Sequence, residues 1–415
     1  MGRFGRARGP GEGRRFREAA LLTAVAFVVA AGSASVVAEL RSHQSVQLSR
    51  ALPPGEPGEI PGAGAYVPAY DLSSDPVFPT LSVGYAIESH TTSAGTSEHL
   101  ARSLDGGRRW YLAGASFPFA GGYSQVQFFS VEDGYAFGPA GLAVTENGGK
   151  SWQPGGDLGG TLERVVPIGR DVWATYALCH GPPEATTPCQ VHLAISTNEG
   201  LSWKTAGRTS PLTEAMGGGD ILARYSLDEA FVVSYGPTGG GLAVTYDSGR
   251  RWTSLPDPCA AWQRVDLAVL NHGQAWMICG GQPTLSGAAS PKAVLRSFDY
   301  GRRWTLEAST GFGPALAPVT NPATGVVGRL PFEGQLSQLA TISPVRAWIG
   351  VSGLGVLVST DSGRAWSLVE GMGPDGRQSG VGVTFDDARH GWAIEFNEGV
   401  WRTTDAVHWS LIDGR

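Results

Sequence analysis

Sulfur and charge are both scarce in this chain. Its 415 residues include only four cysteines, four methionines and eight histidines, and Asp, Glu, Lys and Arg together make up 16%. Four cysteines are too few for a disulfide-dense scaffold. Neither a Cys-x-x-Cys nor a His-x-x-x-His spacing accompanies them, so no metal site is expected. The chain also lacks a Gly-x-Ser-x-Gly elbow, a His-Glu-x-x-His pair and a phosphate-cradling Gly-rich loop, which removes the motif-defined hydrolases, zinc peptidases and nucleotide enzymes. No catalytic residue and no cofactor is assigned. The formal net charge is −6, and the six arginines before residue 18 mask a more acidic remainder, which argues against nucleic acid as a partner.

Glycine is abundant, with 60 residues against 27 prolines, and 42% of the chain is hydrophobic. That balance suits a turn-rich all-β chain. One short stretch explains much of the glycine. SLDGGRRW begins at 103, TENGGKSW at 145, STNEGLSW at 196, TYDSGRRW at 245, SFDYGRRW at 297 and STDSGRAW at 359, and a shortened TTDAVHW follows at 403. Ser or Thr leads, Asp or Asn stands two places on, Gly four and Trp seven. Chemistry that recurs about every fifty residues is structural rather than catalytic. The side chains of Asp105, Asn147, Asn198, Asp247, Asp299, Asp361 and Asp405 are expected to accept backbone N–H groups. Gly supplies a positive φ, and Trp folds over the hairpin. The last copy lacks the Gly and one residue, and a looser turn is expected there.

A second element precedes each of these stretches. The aromatics Tyr85, Tyr135, Trp173, Phe231, Trp276, Trp348 and Trp392 sit in apolar, β-branched runs such as EAFVVSY and RAWIGV, which read as short buried strands. Further strand-like runs, including VQFF, RVVPI, RVDLAVL and VGVTF, come before them. Each unit is thus about four strands, the turn joining the third to the fourth. Seven units make an all-β, seven-bladed β-propeller of four-stranded antiparallel blades over residues 73–415.

The repeated turn resembles the Asp-box, or BNR, repeat of sialidase-like and related propellers, and GYAFGPAGLAVTENGGKSW resembles the photosystem II stability and assembly factor family. The resemblance covers roughly residues 75–412 and is far more specific for fold than for activity. It implies that the boxes lie away from the ligand-binding face. Arg329, Leu330 and Pro331 resemble the Arg-Ile/Leu-Pro element of sialidases, but they follow the fifth box instead of preceding the first, and sialidases have six blades.

The N-terminus reads as a separate module. A basic segment, 1–18, precedes twenty residues without a charge, 19–38. That is the length of a transmembrane anchor, with a cleaved signal sequence as the competing reading. A Pro- and Gly-rich spacer, 39–72, follows. The propeller is then exported, anchored to the outer face of the cytoplasmic membrane or secreted if the segment is cleaved. In that oxidising setting Cys179 is expected to pair with Cys189, and Cys259 with Cys279.

Strand parity locates the function. Turns between third and fourth strands share one face with those between first and second, and their lengths hardly vary. The spacing from strand aromatic to the next box runs from ten residues (135 to 145) to twenty-three (173 to 196), and these variable loops share the opposite rim. Long loops on a rigid scaffold are where recognition usually resides. Candidates on that rim are His180, Glu184, Arg329 and Phe332. Gln125, Glu163, Arg164, Asp220, Gln263, Arg264 and Gln338 are expected to form a polar ring at the channel mouth. The leading functional expectation is non-catalytic binding of a protein or peptide. A glycoside hydrolase, which would need a carboxylate pair across a cleft, and carbohydrate binding are the alternatives.

Overall fold

A computed structural model of the chain describes residues 64–414, apart from short stretches of which the longest are 179–188, 207–212 and 373–380. The chain divides into units 1–60 and 61–415. The basic segment, the apolar segment and most of the spacer lie outside the described residues. Among those described, no helix is long and apolar enough to cross a membrane.

The second unit is a seven-bladed propeller of antiparallel sheets, with a single 3₁₀ turn at Ala69–Asp71 as its only described helix. The second blade shows the pattern. Gln125–Phe128 is innermost, followed outward by Asp133–Gly138, Gly141–Glu146 and Gln153–Pro154. The inner strands of the third to seventh blades are Thr161–Ile168, Gly219–Arg224, Arg264–Asn271, Gln335–Thr341 and Val381–Phe385. Each recurring aromatic lies on the second strand of its blade, nearly inaccessible to water, from Tyr85 and Tyr135 at 0% exposure to Phe231 at 3%. A strand covered on both faces selects continuous apolar, β-branched and aromatic residues instead of strict alternation.

The first blade departs from the pattern. Its second strand is Gly84–Thr92, and its inner member is an irregular segment, 72–78, that bridges it only at Leu72 and Val77. Tyr66–Val67 adds an outermost strand antiparallel to Trp110–Leu112. Tyr66 to Leu72, within the stretch read as spacer, therefore belong to the blade. The chain enters at the outer edge, crosses to the centre through Ala69–Asp71, and then works outward again.

Apolar side chains gather into seven buried clusters, and each fills the gap between two adjacent blades. Seven gaps for seven blades close the ring, since an open arc would have six. The closing gap joins Val67, Ala69, Leu72 and Phe78 of the first blade to Trp392, Ile394 and Val400 of the last. Phe78 stacks on Trp392 with centroids 3.8 Å apart and planes within 6°. Closure thus rests on side-chain packing, not on a strand lent from one end of the chain to the other.

The repeated corners have the expected chemistry. In all seven the leading Ser or Thr hydroxyl donates to the Asp or Asn Oδ1 at 2.9–3.2 Å. In six, the same oxygen accepts the backbone N–H four residues on, at 2.8–3.0 Å. The Gly N–H of each of these six donates back to the leading hydroxyl. Two consecutive residues take positive φ. The first tolerates side chains (Glu199, Ser248, Tyr300, Ser362), but the second is Gly in all six. The neighbouring blade explains the difference. A Cβ on Gly363 would lie 2.8 Å from Trp276, and one on Gly301 would lie 3.2 Å from Phe231. Each box Gly thus needs both the conformation and the room. The shortened seventh corner has one positive-φ residue, Ala406. It is not looser: Asp405 Oδ1 accepts the N–H groups of Val407 and His408 at 2.8 Å, and its Oδ2 meets His408 Nδ1 at 2.7 Å.

Candidate functional site

Corners and first-to-second-strand turns meet on one face, as the backbone bonds Gly148 N–H to Glu132 O and Ser248 N–H to Asp228 O show. The beginnings of the inner strands therefore lie at the opposite face, with the variable loops. There the central channel holds a cavity of about 440 Å³, lined by residues of five of the seven inner strands, four of which contribute polar side chains, and by Asp75 of the segment 72–78.

Gln125, Arg164, Arg264 and Gln338 come together in this lining. Arg164 donates through Nη1 to Gln125 Oε1 at 2.9 Å and through Nε to the Asp220 carbonyl at 3.2 Å. Arg264 Nη1 donates to the Leu336 carbonyl at 2.8 Å, and Gln338 Oε1 accepts the Val383 N–H at 2.7 Å. Each of these bonds crosses from one blade to another. The wall of the channel is therefore also a belt holding adjacent blades in register.

Asp220 lies just behind this wall, 2% exposed. Its Oδ1 accepts the Thr175 hydroxyl at 2.9 Å, while Oδ2 has no partner. Burial pushes its carboxyl up to about 7, with the Thr175 bond and Arg164 pulling the other way and Glu163 adding to the rise. Glu163 is the extra residue of a β-bulge, since Arg164 faces Thr175 and Leu162 faces Tyr176. Burial also raises the Glu163 carboxyl. Gln263 is half-buried, outside the lining, and its N–H bonds to the Gly280 carbonyl at 3.1 Å.

The rim candidates disperse. Arg329 is exposed on a two-residue strand, Gly328–Arg329, that pairs with the outermost full strand of the fifth blade, far from the channel. Phe332 is half-buried against Phe312, with centroids 4.6 Å apart. His180, Glu184 and Cys179 lie outside the described residues. Cys189 is disulfide-bonded, and Cys259 is joined to Cys279.

Several groups escaped the sequence reading. Asp75, Gln127, Tyr235, Asp266 and Ser337 all line the cavity. Asp266 shares a strand face with Arg264, two residues away, a period-2 signal present in the sequence. Its two oxygens accept the Leu267 and Leu339 N–H groups at 2.8 and 2.7 Å, and burial raises its carboxyl against those bonds. Ser337 reaches the channel through a bulge between Leu336 and Gln338, which no pattern announces. Asp75 opens to channel water yet is ringed by protein. That enclosure pushes its carboxyl up to about 6, with Arg164 opposing and Asp266 contributing.

Lys292 was also missed. Wholly buried, its ammonium donates to the carbonyls of Ser290, Phe332, Glu333 and Gly334 at 2.7–2.9 Å and of Pro331 at 3.3 Å. Burial lowers it to about 8, and Glu333 opposes that. The cage pins the end of the longest connection just before Gln335–Thr341, the strand that carries Ser337 and Gln338. Lys292 thereby positions part of the channel wall. Among the described residues no group of His, Cys, Asp and Glu could hold a metal ion.

No protein-family model matches the sequence, and no curated protein does. Solved structures do match in fold. A structure described as YCF48 bound to D1 peptide is 17% identical with a TM-score of 0.55, covering 82% of this chain and 95% of that one. An ancestral GH74 enzyme is 15% identical with a TM-score of 0.52, covering 85% of this chain and 47% of that one. At these identities what the chain shares with both is the seven-bladed fold.

Proposed function

We propose that this chain is a non-catalytic, extracytoplasmic binding propeller, built on Asp-box repeats, that recognises a protein or peptide through the rim opposite its corners. One observation carries the reading: polar side chains from four inner strands, together with Asp75 and Tyr235, converge on a single cavity at the centre of the rim that bears the variable loops. Rigid elements present these groups and longer loops surround them, which is the arrangement of a recognition surface. The similarity in fold to a propeller described with a bound peptide supports it. A photo-crosslinking residue placed at Glu333, exposed on this rim, should capture a stoichiometric partner in intact membranes. The same residue at Arg250, exposed on the corner face, should not. Capture from Arg250 alone would overturn the assignment of the face.

A glycoside hydrolase is the second reading. Asp75 and Asp266 line one cavity and both carboxyls are raised, as a general acid would be. Asp266 is spoken for by two backbone donors, which weakens it as a base. Turnover of any member of a chromogenic glycoside panel, abolished by Asp75→Asn, would establish the hydrolase and displace the binding reading.

A further inference from the structure

The charged groups of the channel mouth are not equally provided for. Arg164 is tied to Gln125 and to the Asp220 carbonyl. Arg264 is tied to the Leu336 carbonyl and shares its strand face with Asp266. Asp266 holds two backbone donors, and Asp220 holds the Thr175 hydroxyl. Asp75 is the exception. Its carboxylate has no hydrogen-bond donor and no ion pair among the described residues, although it lines the cavity. It sits on 72–78, the only inner segment among the described residues without a regular ladder, and its Oδ1 occupies the place that a Cβ on Gly382 would take. The Gly at the start of the last blade's inner strand is what lets the carboxylate stand there. Two further polar groups of the lining, the Gln127 carboxamide and the Tyr235 hydroxyl, are likewise unpartnered among the described residues.

Charge points the same way. Asp75, Glu163, Asp220 and Asp266 set four carboxylates against the guanidinium groups of Arg164 and Arg264, so two negative charges are left over when all are ionised. Asp75 is the most exposed of the four. Exposed to the channel and without a protein donor among the described residues, this carboxylate is left to water, which the N–H groups of a ligand can replace. What completes it is a cation carrying N–H donors.

We propose that the channel mouth is a receptor for a positively charged nitrogen of the partner, a lysine or arginine side chain or a chain's amino terminus, whose N–H groups close on the Asp75 carboxylate. This rests on the protein- or peptide-binding reading above and names the chemistry it reads. About 440 Å³ holds an inserted side chain or chain end and excludes a folded surface. The Asp75 carboxyl is faced by Arg164 from the third blade and Asp266 from the fifth. With its pKa pushed up to about 6, binding requires loss of a proton in acid, so affinity falls as the pH drops below that value and levels off above it.

The test uses the purified full chain and fluorescent, end-blocked pentaglycines with a central Lys, Arg, norleucine or Glu, together with pentaglycine bearing a free amine. Anisotropy at pH 7.5 should show the Lys, Arg or free-amine probe binding at least about tenfold tighter than norleucine, the effect of one charge-assisted contact. At pH 5 that advantage should shrink by about tenfold. Asp75→Asn should reduce it to the norleucine level and abolish the pH dependence, with thermal melting confirming an intact fold. Gly382→Ala, which crowds the carboxylate and keeps its charge, should weaken the cationic probes as well. Equal binding of Lys, Arg, free-amine and norleucine probes, tighter binding of Glu, or full retention by Asp75→Asn would each overturn the proposal. If the rim crosslink at Glu333 still forms in that case, the rim assignment survives with a different chemistry. If the probes bind through Asp75 and no partner crosslinks, the cation receptor stands alone.

Discussion

Replacing Asp220 with Asn should stabilise this protein at neutral pH, although it removes a buried, hydrogen-bonded side chain. Asp220 is 2% exposed, and its carboxyl is pushed up from 3.8 to about 7. The folded state therefore holds the proton over a range where the unfolded chain has released it. The contribution of this group to stability is greatest below about pH 4 and is lost as the pH rises through about 7. The rise from 3.8 to about 7 corresponds to about 4 kcal/mol given up by pH 8, of which about 3 kcal/mol returns by pH 5. Asn cannot ionise. It keeps the acceptor for the Thr175 hydroxyl, but it buries an amide N–H where Oδ2 has no partner, at about 1–3 kcal/mol. The net gain at pH 8 is about 1–3 kcal/mol, read as a higher urea midpoint and a melting temperature up by about 2 °C per kcal/mol. Towards pH 5 the advantage should vanish or reverse. An Asn variant no more stable than the parent at pH 8, or an advantage unchanged at pH 5, would refute the view that Asp220 is an ionised group held at a cost beside the channel.

Other expectations concern the scaffold. Gly363→Ala forces a side chain into φ 86° and against Trp276 and should cost about 2–4 kcal/mol in denaturant titrations. Ser362→Gly, one residue earlier at φ 72°, should be neutral or stabilise by about 1 kcal/mol. Lys292→Met strips the donor from five carbonyls and should cost about 3 kcal/mol or more, with faster amide hydrogen exchange concentrated in residues 332–338. Replacing Cys259 and Cys279 together by Ser opens a loop with a sequence separation of 20 and should cost about 3 kcal/mol by thermal melting.

The scaffold was legible because its signals are local and repeated. A corner that needs an Asx acceptor, a left-handed Gly and a Trp writes all three into eight consecutive positions, and the second-strand aromatics mark the next layer at a steady offset. The Cys259 to Cys279 link followed from the two residues flanking one strand region. The site was legible only in part, because it is assembled across blades. Gln125, Arg164, Arg264 and Gln338 could be found as polar residues opening apolar strands. Asp266 was readable by alternation and was passed over. Ser337 was not readable, because a bulge turns it, and neither was Asp75, whose segment lacks strand propensity and adjoins a Pro-rich spacer. Lys292 looks like any surface lysine until the end of the next connection, 331–334, folds over it.

Every blade is drawn from one uninterrupted stretch of chain, including the first, which takes in both its outer edge and its inner segment before the second begins. Among the described residues no ladder spans the gap between Phe78 and Trp392. Moving the chain ends to another gap would therefore leave all seven sheets hydrogen-bonded as they are, which makes the protein a natural subject for circular permutation. By the same token, a gene duplication of one unit would insert a finished blade without unpairing any strand. The number of blades is then governed by the angle at which neighbours nest, not by the order in which the chain is threaded.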